Sequence, residues 1–213
     1  MKKILFLLVV LIPVLGWAGE YILYPNAAGT NQTWSTGGSG SYHWDRVDDP
    51  HNYHDSDTSY LYVAAGSEFI ETEHLQDATA IPDGDVIDSV RAHLAVKCVG
   101  TGENAVGFYV YWYDGSNEKS SEMKMAFVAY PSLTGYNFSD VRTTALDDLA
   151  WTKTKLNNLE LGLYGYFENV YVTRVTAIHA HVYTTTPSTA NKSHIITKDI
   201  EDCSGILEGS VVR

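Results

Sequence analysis

Residues Ala105–Tyr113 read AVGFYVYWY, and this stretch decides the fold because its side chains alternate between two faces. One face is apolar and the other carries tyrosines. The apolar face consists of Val106, Phe108, Val110 and Trp112. The same alternation in Val86–Val99 (VIDSVRAHLAVKCV) predicts a second long strand, which a turn at Gly100–Gly102 joins to the first. We therefore expect each of the two strands to have one apolar face.

Strand patterns recur along the rest of the chain, whereas helical patterns are almost absent. Further strands are predicted at Glu20–Tyr24, Thr58–Ala64, Glu68–His74, Met123–Tyr130, Asn137–Thr144, Glu160–Phe167 and Tyr171–Tyr183. The one helical candidate is Thr152–Leu159, with Thr152 as its N-cap. A long loop is expected from Pro25 to about Asp57. The sequence predicts an all-β fold, an antiparallel and jelly-roll-like β-sandwich with at most one short helix.

The N-terminus has the pattern of a secretory signal. Lys2 and Lys3 precede an apolar run from Ile4 to Trp17, which is too short for a membrane span and contains Pro13. We expect cleavage after Ala18, so that residues 1–18 form the signal peptide and 19–186 the sandwich. The polar stretch 187–213 is expected to be a C-terminal extension. The protein is then secreted to the extracellular space or the cell surface, or stays in a periplasm.

The charge balance excludes some partners. The chain has 26 Asp and Glu against 14 Lys and Arg, a formal net charge of −12. Nucleic acids and anionic membranes attract basic surfaces, so neither is an expected partner. Fifteen tyrosines and five tryptophans agree with a protein rich in β-sheet.

Cys98 and Cys203 are the two cysteines of the chain, and both lie in the part that we expect to be exported. A Cys98–Cys203 disulfide would close a loop of about 105 residues and stabilise the fold by a few kcal/mol. Free thiols and a bond between neighbouring subunits are the alternatives.

Five segments occur in an order that resembles a known module. They read YPNAAGTNQTW, HDSDTSYLYV, IPDGDVIDSVRAHLAVK, LAWTKTKLNNLELGL and VTRVTAIHAHVY, within about residues 21–184. The chain resembles jelly-roll domains of tail, capsid-associated and fibre proteins of phages and prophages, and of some secreted bacterial proteins. The resemblance implies a β-sandwich used for structure or attachment, and it implies no catalytic residues. The secretion signal departs from the virion pattern and favours a cell-surface or appendage role.

The long loop is rich in carboxylates. Calcium binds six to eight oxygen ligands, which aspartates in a loop can supply. The candidate calcium ligands are Asp45, Asp48, Asp49, Asp55 and Asp57. The alternative is a solvated acidic loop with Asx-turns. Calcium is the cofactor that the sequence favours.

Aromatic side chains lie in the same loop, where they could stack on the apolar face of a sugar. The candidate glycan-binding residues are Trp34, Tyr42, Trp44 and Tyr53. The alternative is that these rings anchor the loop on the sheet.

Two other sets of polar side chains indicate a metal site or a catalytic site less strongly. His179 and His181 share one face of a predicted strand, and His93 is expected beside them, so that three imidazoles could bind zinc or simply line the sheet. Glu71 and Glu73 also share a face, as carboxylates of any exposed strand do, although a pair in a concave face is typical of glycosidases. Neither a Gly-x-Ser-x-Gly nor a His-Glu-x-x-His motif is present. We do not expect an enzyme.

The C-terminal extension contains a strand-like segment, Gly205–Val212 (GILEGSVV). It could pair with the sheet edge of its own sandwich or of a neighbouring subunit. The sequence thus predicts a structural or adhesive protein that self-associates in an extracellular fibre or surface assembly. A lectin-like module that binds glycans, with or without calcium, is the alternative.

Overall fold

The computed structural model describes residues 18–38, 40–49, 59–63, 68–99, 105–127, 136–166 and 172–187. These residues form two antiparallel sheets packed face to face, so the predicted β-sandwich is confirmed. The strands in chain order are β1 (Ala18–Leu23), β2 (Pro25–Gln32), β3 (Ser35–Gly38), β4 (Ser59–Val63), β5 (Glu68–Leu75), β6 (Val86–Val99), β7 (Ala105–Tyr113), β8 (Glu118–Ser120), β9 (Lys124–Phe127), β10 (Tyr136–Arg142), β11 (Glu160–Tyr166) and β12 (Val172–Thr185). The one α-helix of the described residues is α1 (Lys153–Asn157), and 3-10 turns lie at Trp44–Arg46 and Ala78–Ala80.

The first sheet has the order β10-β6-β12-β4-β3. One edge of β12 pairs with β6, and the opposite edge is shared by two strands: β4 pairs with residues 173–175 and β1 with residues 180–185. The second has the order β2-β5-β11-β7-β8, and β9 also pairs with β7. Strands β4 to β7 alternate between the two sheets along the chain, as do β10 to β12. Each sheet therefore receives its inward face from strands that are distant in sequence.

The core lies between the sheets and is formed by the apolar faces that the alternation predicts. Its largest buried apolar side chains come from six strands, from α1 and the residues just after it, and from Ile81: they are Leu61, Leu75, Ile81, Leu94, Phe108, Trp112, Leu156, Leu159, Leu161, Leu163 and Ile178. Trp112 also donates an indole N–H to Asp140 of β10 over 2.9 Å, so a polar contact joins the two layers. Full burial of such side chains is worth about 1.5–3 kcal/mol each.

The prediction of one long loop from Pro25 to about Asp57 is wrong, because β2 and β3 lie within it. Both are edge strands: β2 pairs with β5, and β3 pairs with β4. Their sequences, PNAAGTNQ and STGG, have no apolar alternation because most of their residues are exposed or half-buried. The register of β2 is also interrupted between Ala28 and Gln32.

Candidate functional site

Two carboxylates point into the sandwich from β5. Glu71 and Glu73 lie on the same face of the strand as Leu75, which belongs to the core. Their cross-strand partners on β11 are Leu163 and Leu161, two further core residues. Both glutamates are fully buried. The interpretation of this pair as carboxylates of an exposed strand is therefore wrong.

Neighbouring segments supply polar contacts to the pair. The backbone N–H of Trp34 donates to Glu71 Oε2 over 2.8 Å, and His43 Nδ1 lies 2.6 Å from Glu71 Oε1. The side-chain amide of Gln32 donates to Glu73 Oε2 over 3.4 Å. The other oxygen of Glu73, Oε1, is buried and has no hydrogen bond of normal geometry in the described part of the chain, although the Glu71 carboxyl and the Gly29 N–H also contact Glu73.

The environment of the pair disfavours two negative charges. Burial, followed by the charge of Glu71, raises the pKa of Glu73 to about 9. Burial also raises the pKa of Glu71, although hydrogen bonds from His43 and from the Trp34 N–H oppose it. Both shifts favour protonation of the pair over two negative charges side by side.

His43 reaches the pair from a short segment, residues 40–49, which is fixed at both ends. Asp45 accepts hydrogen bonds from the backbone N–H groups of Ser41 (2.7 Å) and Tyr42 (2.9 Å). The Arg46 guanidinium donates to the carbonyls of Gly37 and Gly40. At the other end, the Val47 carbonyl accepts the N–H of Ile178 over 2.8 Å, which joins the segment to β12.

These contacts bear on the predicted calcium ligands. Both oxygens of Asp45 accept backbone N–H groups, which is the turn-forming role that the alternative assigned to this loop. Asp48 is exposed and forms a β-bridge with Ala177, and Asp49 is half-buried. The structure does not gather Asp45, Asp48 and Asp49 into a ligand group. Asp55 and Asp57 lie outside the described residues, so a calcium site in the complete loop stays a prediction.

The predicted glycan-binding aromatics separate into two kinds. Trp34 is buried in the core, so its ring is not available to a ligand at the surface. Tyr42 is 62% exposed and stacks on Trp44, with ring centroids 5.9 Å apart and planes at 7°. Tyr53 lies outside the described residues. The aromatic surface that remains is the Tyr42–Trp44 pair, on either side of His43 in the sequence.

The three predicted histidines do meet on the outer face of the first sheet. The His93 ring centroid lies 4.4 Å from that of His181 and 5.2 Å from that of His179. His181 Nδ1 lies 2.5 Å from Glu20 Oε1, which joins β1 to β12. A different group of side chains has the spacing of metal ligands among the described residues. It consists of His43, Glu71 and Glu73, whose ligand atoms all lie within 4.8 Å of one another. Nothing in the sequence linked His43 to these glutamates, because 28 positions separate it from Glu71.

The predicted disulfide cannot be placed, because the side chain of Cys98 and the whole of Cys203 lie outside the described residues.

On the outer face of the second sheet, Glu160 is a third buried carboxylate with a different environment. It accepts hydrogen bonds from the N–H and hydroxyl of Thr30 and from the hydroxyl of Thr72, each over 2.7 Å. Glu160 is therefore fully engaged by donors, unlike Glu73.

Comparisons with known proteins add no identity. No protein-family model matches the chain, and no curated protein has a matching sequence. Among the described residues, no helix is long and apolar enough to cross a membrane.

Proposed function

We propose that this chain is a secreted, non-enzymatic structural or adhesive β-sandwich, a subunit or decoration of an extracellular fibre or surface assembly. The observation that carries the proposal is the open edge of β10. This strand pairs with β6 over seven residues, and no described strand pairs with its other side. An unpaired edge presents backbone N–H and C=O groups that a strand from another subunit, or the segment Gly205–Val212, can bind.

Two further observations support contact rather than catalysis. The acid pair Glu71–Glu73 is sealed from solvent, so it cannot meet a polymeric substrate in this arrangement. On β10, Val141 is apolar and 47% exposed, which suits a strand that is covered in an assembly. The resemblance to phage, prophage and secreted jelly-roll modules points to the same class of function.

The test uses the full chain expressed with its own N-terminus and collected from the exported fraction. Mass spectrometry determines whether cleavage follows Ala18, and light scattering with negative-stain imaging measures assembly. We expect particles or polymers that Val141→Lys disrupts, because a charge on an edge strand opposes strand addition. The matched control is Leu149→Lys, which changes an exposed apolar residue in a turn and should leave the assembly intact. A wild-type protein that stays monomeric at all concentrations would contradict the proposal.

The exposed ring of Tyr42, which stacks on the half-buried Trp44, favours a second candidate, a carbohydrate-binding module. An exposed aromatic ring can stack on a sugar, and Tyr42 is 62% exposed while it stacks on Trp44. Retention on a glycan array that Tyr42→Ala abolishes would support this function. Tyr60→Ala is the control, since that ring packs against Arg174.

A further inference from the structure

We propose that His43, Glu71 and Glu73 form a binding site for a divalent transition-metal ion, with zinc as the best-matched species. Each residue offers one ligand atom, and the three atoms lie within 4.8 Å of one another. Zinc binds imidazole nitrogen and carboxylate oxygen at about 2.0–2.2 Å, which separates tetrahedral ligands by roughly 3.3 Å. His43 Nδ1 and Glu71 Oε1, now 2.6 Å apart, would need to open by roughly 0.7 Å to accept the ion.

The burial of the two glutamates is the second and independent reason. Glutamate is rarely fully buried unless it is paired, and Glu73 Oε1 has no hydrogen bond of normal geometry in the described part of the chain, although the Glu71 carboxyl and the Gly29 N–H also contact Glu73. The groups that act most strongly on the pair are His43, backbone N–H groups, Gln32 and the two carboxyls themselves, with no Lys or Arg among them. A divalent cation would neutralise both carboxylates and give Oε1 a ligand bond.

The ligand set selects the class of metal. Calcium needs six to eight oxygen ligands, whereas this site offers one imidazole and two carboxylates. One nitrogen with two oxygens suits zinc and the neighbouring divalent ions of the first transition row. The site is also built from two distant parts of the chain, because His43 stands on the segment 40–49 and the glutamates stand on β5. The ion would therefore fasten this segment to the sandwich.

The site is separate from both metal sites that the sequence suggests, the calcium site in the loop and the histidine cluster. It contains none of the loop aspartates, and it lies between the sheets rather than on the outer face that carries His93, His179 and His181. It also does not depend on the proposed function, since a structural metal can serve an assembly subunit or a lectin equally well.

The test measures zinc on the full chain after treatment with a chelator and dialysis. Titration calorimetry and metal analysis should give one tightly bound zinc per chain. His43→Ala and Glu71→Gln should each weaken zinc binding at least tenfold, and Co²⁺ should give the intense visible absorption of a four-coordinate site that His43→Ala removes. Glu160→Gln is the matched control, because it changes a buried carboxylate of the same sheet outside the site and should leave zinc affinity unchanged.

Each outcome decides for or against the site. His43 is only partly buried, so His43→Ala keeps the test valid even where Glu71→Gln fails to fold, as far-ultraviolet dichroism would show. Zinc binding that survives His43→Ala but is lost in His93→Ala would overturn the proposal in favour of the histidine cluster. Calcium binding of equal strength that His43→Ala does not change would overturn it as well, and so would the absence of zinc binding to the folded wild type.

Discussion

Replacing Glu73 by Gln should stabilise the metal-free protein, an unusual result for a fully buried polar residue. The pKa of Glu73 is raised from 4.5 to about 9, so the folded state binds more protons than the unfolded state between these values. The free energy of unfolding of the wild type therefore falls as the pH rises from 4.5 to 9. Glutamine has the shape of the protonated acid, remains neutral, and can still donate a hydrogen bond to Glu71.

The size of the stabilisation by Glu73→Gln follows from the difference between the ordinary pKa of a glutamate and the pH of the measurement. From 4.5 to pH 7 is about 2.5 pH units, and each unit corresponds to about 1.4 kcal/mol. Glu73→Gln should therefore raise the free energy of unfolding by up to about 3 kcal/mol at pH 7. For a chain of this length this corresponds to an increase in Tm of roughly 6–12 °C. The gain should be under about 1 kcal/mol at pH 5 and larger at pH 8.

The assay is chemical denaturation of wild type and variant in excess chelator at pH 5, 7 and 8. The other titrating groups contribute almost equally to the free energy of unfolding of the wild type and of the variant. The difference between the two free energies therefore changes with pH mainly because of Glu71 and Glu73. Glu160→Gln serves as the control and should lose about 1–3 kcal/mol, because an amide cannot accept all the hydrogen bonds from Thr30 and Thr72. A Glu73→Gln variant that is less stable than wild type at pH 7, or whose advantage does not grow with pH, would refute the reasoning.

Three further substitutions test the packing and the backbone, each by the change in Tm. Gly162→Ala should lower the free energy of unfolding by more than about 4 kcal/mol or prevent folding, since its Cβ would lie 1.6 Å from the Glu71 carbonyl oxygen; a small shift would contradict the β5–β11 register. Gly84→Ala should cost only about 1 kcal/mol, because the residue has a φ of +94° but open space around its Cβ position. Thr152→Ala should cost about 1 kcal/mol by removing the side-chain acceptor of the Lys155 N–H, and Thr152→Ser should restore it.

The central strands could be predicted from the sequence because each has one face in the core. The bounds of β6 and β7 agree with the prediction, and Val90, Leu94 and Val110 are fully or almost fully buried. For such strands the period of two reflects burial directly. The N-cap role of Thr152 was predictable for a similar reason, since capping depends on residues only three positions apart.

The edge strands could not be predicted in this way. Nothing in the sequences of β2 and β3 repeats with a period of two, and their pairing is imposed by β5 and β4, which lie beside them in the folded chain. Edge strands need little apolar surface because water reaches one of their sides. Local sequence therefore resembles a loop at the places where tertiary pairing makes a strand.

The acid pair was hidden for a different reason. Glu71 and Glu73 alternate with Ile70 and Thr72, so the pattern of β5 places carboxylates on one face and an apolar residue on the other. Hydrophobicity alone assigns the acidic face to solvent, yet the structure turns it inward beside Leu161 and leaves Ile70 only half-buried. A local rule that fails at one buried position often marks a functional or strained site.

Residues 40–49 connect the two parts of the molecule that carry specific chemistry. Tyr42 and Trp44 flank His43, so the segment that points an imidazole at Glu71 also holds the exposed ring of Tyr42, which stacks on the half-buried Trp44. Arg46 holds both Gly37 of β3 and Gly40, and Val47 is bound to β12, so the segment cannot shift as a whole without breaking these contacts. Binding of an ion between His43 and β5 would therefore act mainly on residues 41–45, which lie between Gly40 and Arg46. The surface closest in sequence to the buried site is the Tyr42–Trp44 pair, so zinc binding should change the tryptophan fluorescence of the protein, and Trp44→Phe should remove that change.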